Sequence, residues 1–222
     1  GVSLRVGQQH TTPAIGSVIL QTAVNDMGST YVAAVSAGSK ISMFMCCPFD
    51  AMGSTMATYG GQNVGARRLD RVDQGLKACI KMGIIYALVA LAFSIVFGKQ
   101  LALLFVKKEQ IELIGYIYEF VVINAAFYIF LALVNIVRFM IQGLGYSTFA
   151  ILAGICEMIA RSVAGFVLVP HFGFICVSLG SPLAWVCADL FLIPAYLWVM
   201  KQLRRKFGEN KISRAKSATA TI

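Results

Sequence analysis

Apolar runs too long for a soluble domain dominate this chain. Segments at about 4–27, 31–59, 78–98, 110–141, 147–169 and 174–200 each carry a long stretch with few charges, and about 20 such residues suffice for a helix to cross a bilayer. Within lipid every backbone N–H and C=O needs a partner inside the spanning structure, which restricts it to helices or closed barrels. A barrel would show alternating segments of about ten residues; these runs are continuous. Only 13% of the residues are charged, against about 25% in soluble domains, and mean hydropathy is +0.76. The expectation is an all-α polytopic membrane protein, with six transmembrane helices over residues 1–205 and a basic polar tail at 206–222. The chain opens on Gly1, and its first apolar run follows with Arg5 as the flank and no basic leader before a short apolar core. That start predicts a piece of a longer polypeptide.

The few charges are unevenly placed. The stretch "ATYGGQNVGARRLDRV" at 57–72 ends an apolar run with Gly60, Gly61, Gln62, Asn63 and Gly65, then delivers Arg67, Arg68, Asp70 and Arg71. Short loops rich in Lys and Arg stay in the cytoplasm. On one side of the expected membrane fall Arg5, Arg67, Arg68, Arg71, Lys77, Arg138, Lys201, Arg204, Arg205, Lys206, Lys211, Arg214 and Lys216. On the other fall Lys99, Lys107 and Lys108. This asymmetry places both ends of the chain in the cytoplasm. Gly60 and Gly61 are expected to end the second helix and Gly65 to allow the turn. The basic residues are divided among loops rather than gathered on one face, which argues against nucleic acid as a partner. The tail suits anionic lipid headgroups instead.

The six cysteines (Cys46, Cys47, Cys79, Cys156, Cys176 and Cys187) show neither a CxxC pair nor a Cys/His ligand cluster. They read as small hydrophobes. His10 and His171 are isolated, with no acid or nucleophile spaced to form a triad. The expectation is no enzyme, no metal and no cofactor.

"GGQNVGARRLDRV" resembles the loop after the second helix of a lobe in multidrug and toxic compound extrusion (MATE) transporters. Further matches follow in order: "AIGSVILQTAVNDMGSTYVAA" (14–34) with the first helix of the C-terminal lobe, "RFMIQGLGYS" (138–147) with an inner loop, and "SPLAWVCADLFLIPAYLWVM" (181–200) with the last helix. The resemblance covers about residues 4–205. It implies one six-helix lobe of a twelve-helix, two-lobed antiporter, whose missing N-terminal lobe supplies the other half of a central cavity. It further implies export of small amphipathic, often cationic compounds in exchange for protons or sodium across the cell membrane. In sodium-coupled branches an acid follows the proline of this lobe's first helix; the counterpart by spacing from Pro13 is Gln21, which is neutral. Within the chain, Gln62–Ala66 is echoed by Gln142–Tyr146, and internal repeats are common in secondary transporters.

Polar residues at membrane depth supply the candidate site, since an embedded charge costs at least about 2.5–3.5 kcal/mol. Asp189 shares a stripe of the last helix with Ser178, Pro182, Trp185 and Tyr196, and could bind a cation, take a proton or be capped by neighbouring hydroxyls. Glu157 and Arg161 are one turn apart and read as a self-neutralised or switchable pair. Asn124, Tyr128 and Asn135 share one face of the fourth helix, where they either line a wet cavity or fasten helices together. Lys40 and Asp50 lie on the second helix, about 15 Å apart along its axis and beyond direct pairing. Gln62, Asn63 and Gly65 carry the loop motif. Counting Lys40 and Arg161 as the embedded bases, against Asp26, Asp50, Glu157 and Asp189, favours export of cations. A flippase for lipid-linked precursors, from the related superfamily, would want a more basic cavity. A non-transporting membrane scaffold would use its polar residues for packing alone.

Overall fold

The computed structural model describes residue 18 and residues 21–219, with side chains as far as residue 208. Among these residues every regular element is helical. Residues 21–27 form α1, which Gly28 separates from α2 (Ser29–Gly65); its φ of 115° suits glycine. Then come α3 (Leu69–Ala102), α4 (Ile111–Ala126), α5 (Tyr128–Gly143) and α6 (Ser147–Val163). A π-helical turn, Ala164–Leu168, leads into the short α7 (Val169–Phe172), and α8 runs Phe174–Thr219. Four spans are long and apolar enough to cross a membrane: α2, α3, α6 continued through α7, and α8 as far as Gly208. The pair α4 and α5 makes a fifth, bent by 51°. Most of the expected first span, 4–27, lies outside the described residues, as do Arg5, His10 and Pro13.

The bend corrects the straight fourth helix expected at 110–141. Phe127 leaves helical geometry at φ −103°, ψ 8°, and its N–H bonds the Asn124 carbonyl three residues back. No proline or glycine stands there. Beside the bend, the buried Asn124 amide donates to the Phe120 carbonyl of its own helix (2.9 Å) and to the Ser178 carbonyl of α8 (3.3 Å). An amide competing for its own helix's carbonyl weakens that turn. Pro182 has no N–H to give the Ser178 carbonyl, so Asn124 supplies the donor that the proline removes.

The glycine-rich loop also differs from expectation. Gly60 and Gly61 lie inside α2, which continues to Gly65, and α3 starts at Leu69, so Asp70 and Arg71 belong to its first turn. The chain reverses at Arg67, whose φ is 57°. Its N–H bonds the Val64 carbonyl and that of Arg68 bonds the Asn63 carbonyl, the paired bonds of a Schellman turn. The same motif ends α5. Gly145 (φ 92°) donates to Gln142 and Tyr146 donates to Ile141. Arg67 and Gly145 are thus equivalent, which puts the apparent echo of Gln62–Ala66 in Gln142–Tyr146 two residues out of step. Helix α8 runs on into the basic polar tail as far as Thr219.

Helix α2 packs through its glycines, as membrane helices do where backbones approach closely. Side chains of Phe120, Phe139 and Met140 sit over Gly38, Gly53 and Gly60. At Gly143 a Cβ would stand 2.1 Å from the Ala57 carbonyl oxygen, so any larger residue must force α2 and α5 apart, at about 1–3 kcal/mol. The larger core cluster joins Phe49, Tyr128, Ile136, Met140, Trp185 and Leu192.

Candidate functional site

Two polar features stand out from the apolar lobe. The first lies on its surface. Ser36, Lys40, Asp50, Ser54 and Thr58 are all exposed along α2 and recur at the helical period, so they form one stripe, interrupted by the exposed Met43 and Cys47. The exposed face of α3 is by contrast hydrocarbon: Met82, Ile85, Leu88, Val89, Phe93 and Val96. Near the middle of α2, Asn135 of α5 donates its amide to Asp50 Oδ1 at 3.1 Å. A carboxylate and an amide at that depth are costly against lipid. Therefore the α3 face meets lipid, and the α2 stripe suits protein or water.

The second feature is internal. Arg138 of α5 pairs with Glu157 Oε1 of α6, and Arg161, one turn on from Glu157, stands 3.7 Å from Oε2. All three side chains are largely buried, Glu157 at 5% exposure. Asp189 of α8 is 4% exposed and neither of its carboxylate oxygens has a hydrogen-bond partner, although it feels the charge of Arg138. Arg138 therefore links two acids and carries the like charge of Arg161 beside it. The four formal charges cancel, which makes burial tolerable for the set.

Arg138 is the correction here. Counted with the cytoplasmic loops, it is instead held inside α5, and Glu157 and Arg161 form part of a larger cluster rather than a self-contained pair. With Arg138 embedded, bases and acids inside the core balance. Charge parity was the available signal: within the apolar runs 147–169 and 174–200 the acids Glu157 and Asp189 are matched by Arg161 alone.

The other expected site residues are dispersed. Asn124 clasps α8, and Tyr128 is fully buried with its ring 5.7 Å from Phe49 and 6.3 Å from Trp185. The bend falls between Asn124 and the other two: Tyr128 and Asn135 share α5, where Asn135 faces Asp50. Trp185 is 8% exposed, so its ring is spent on packing. Gln62 is exposed and lines a hollow with Ser54, Thr55, Thr58 and Tyr59. Asn63 is buried and donates to the Tyr59 carbonyl at 2.8 Å. Gly65 sits in the last turn of α2 with open space around it. Gln21 bonds Asn25 at 3.3 Å. Among the described residues no group of His, Cys, Asp and Glu is arranged to hold a metal ion.

A multi-span helical bundle with an apolar outer face, a polar face and a buried ionic core belongs among polytopic membrane proteins. The family model for MatE matches residues 13–167, and the chain belongs to that family. A solved MATE in complex with MaL6 matches with a TM-score of 0.80 at 18% identity, over 91% of this chain and 46% of that one. An outward-facing multidrug resistance MATE family transporter of the MOP superfamily gives 0.75 at 15%, over 86% and 42%. A MOP superfamily transporter from Pyrococcus furiosus, described as having a binding pocket of reverse polarity, gives 0.72 at 16%, over 86% and 42%. At such identities the likeness establishes the fold. The chain spans less than half the length of these structures. No curated protein matches it.

Proposed function

We propose that this chain is one lobe of a secondary antiporter that exports amphipathic, often cationic compounds across the cell membrane in exchange for protons or sodium. The observation that carries the reading is the polar α2 stripe with the Asp50–Asn135 pair at its centre. A second lobe facing that stripe would enclose a wet path, with Asp50 attracting the cation. The buried cluster of Arg138, Glu157, Arg161 and Asp189 is the coupling element. Its burial admits a small coupling ion in preference to a drug-sized cation. A proton moving down a membrane potential releases about 2.3 kcal/mol per 100 mV, enough to drive export.

In proteoliposomes holding the intact polypeptide that carries this lobe, Asp50→Asn should slow efflux of a cationic dye by about tenfold, the worth of one lost charge interaction of about 1.4 kcal/mol. A neutral dye should be little affected. Equal slowing of both, or of neither, would remove Asp50 from the path.

In this reading both chain ends are cytoplasmic. Cysteines placed at Arg68 and at Phe172, both exposed, in a background without native cysteines, report the orientation in intact cells. An impermeant reagent should label position 172 and spare position 68; the opposite pattern would invert the topology.

A further inference from the structure

Away from the transport route, α3 and α8 enclose a hollow of about 440 Å³ at the end of the bundle that carries the α2–α3 turn. Lys77, Lys201 and Arg204 line it with Asp73 and Tyr196, over apolar walls of Leu76, Leu197 and Met200. We propose that this hollow binds the phosphate headgroup of an anionic lipid, with an acyl chain along the Leu197 side.

Three observations support the assignment. The first is charge: three cations face one carboxylate, so the hollow is net positive. Asp73 is already occupied, accepting from the Tyr196 hydroxyl at 2.8 Å and pairing with Arg204. That pair fixes Arg204 at the rim, while the exposed Lys77 and Lys201 hold mobile ammonium groups one on each helix. The second is depth. Lys77 and Lys201 stand beside the ends of the apolar runs at 78–98 and 174–200, the level at which long basic side chains reach the headgroup zone. Basic pockets between membrane helices at that level suit anionic headgroups. The third is access. Leu197 is 64% exposed and Leu190 72%, so the hollow opens onto the lipid face rather than the polar α2 stripe. A soluble phosphate meets the same cations but gains nothing from that wall.

The test is native mass spectrometry of the intact polypeptide with phosphatidylglycerol, phosphatidylcholine and inorganic phosphate as separate probes. Phosphatidylglycerol should be retained at lower concentration than phosphatidylcholine, and inorganic phosphate should not displace it. Replacing both lysines (Lys77→Gln with Lys201→Gln) should weaken retention roughly 30-fold, about fivefold for each charge near the surface. Asp73→Asn should keep or strengthen retention, because it removes a competing negative charge while the amide oxygen still accepts from Tyr196. Should the lysine variant fail to assemble, Asp73→Asn decides. Unchanged retention in the lysine variant, loss in Asp73→Asn, or displacement by inorganic phosphate at equal concentration would each overturn the proposal.

Discussion

If the proposed antiport is proton-coupled, Asp189→Asn should leave the protein folded in the membrane and reduce proton-driven efflux of cations by more than about tenfold. The amide matches the carboxylate in shape, and no hydrogen bond to the carboxylate oxygens has to be rebuilt. Embedding an amide is also cheaper than embedding a charge. What the amide cannot do is exchange a proton. Arg138 keeps Glu157 as partner in the variant, so the core retains its main ion pair. The measurement is efflux from proteoliposomes with an imposed pH gradient, beside a thermal unfolding midpoint in detergent. An Asn variant that exports with unchanged rate and pH dependence would make Asp189 a packing residue.

Glu157→Gln should have the opposite profile, with folding damaged before transport can be asked about. Glu157 is the common partner of Arg138 and Arg161, all three of them buried. Its neutralisation leaves two guanidinium groups in a low-dielectric core with Asp189 as the remaining acid. Stranding a buried charge by removing its partner costs about 3–5 kcal/mol, a large part of the about 5–15 kcal/mol that holds a typical domain together. The yield of detergent-extracted, monodisperse protein should fall sharply. Combining Glu157→Gln with Arg161→Met should recover much of it, since the pair is removed together. If the single variant is as stable as the parent, the cluster is not the electrostatic unit drawn above.

Much of the architecture was legible because its cause is local. Long apolar runs dictate spanning helices by the backbone's need for internal partners, and they placed the starts of α2, α6 and α8 to within a turn; α3 starts nine residues before its apolar run, and α8 continues well past the end of its own. The turn at Gly145 takes the left-handed position with glycine, the residue that tolerates positive φ. The turn at Arg67 was not legible: a bulky residue takes the left-handed position, and Gly65, which looked suited to it, stays helical. The bend at Phe127 is invisible in "INAAFYIF", which holds no proline or glycine, and the bond beside it from Asn124 to the Ser178 carbonyl reaches another helix. Arg138 misled for a related reason. It stands five residues before the end of α5, roughly 7.5 Å along the axis, near enough to a loop to be read as part of one. What draws it inward is a carboxylate on α6. Of the candidate site, Asp189, Glu157, Arg161 and Asn135 were recognisable as polar groups in apolar helices; which of them meet was not.

The Asn124 amide has a mechanical consequence. Two flaws in adjacent helices, the 51° break after α4 and the gap that Pro182 leaves in α8, are stitched together by one side chain. Neither helix can flex at its weak point without straining the other, so the lobe behaves there as a single joint with two arms. A displacement of α4 that broke the Asn124 bond would leave the Ser178 carbonyl without the donor that Pro182 cannot supply.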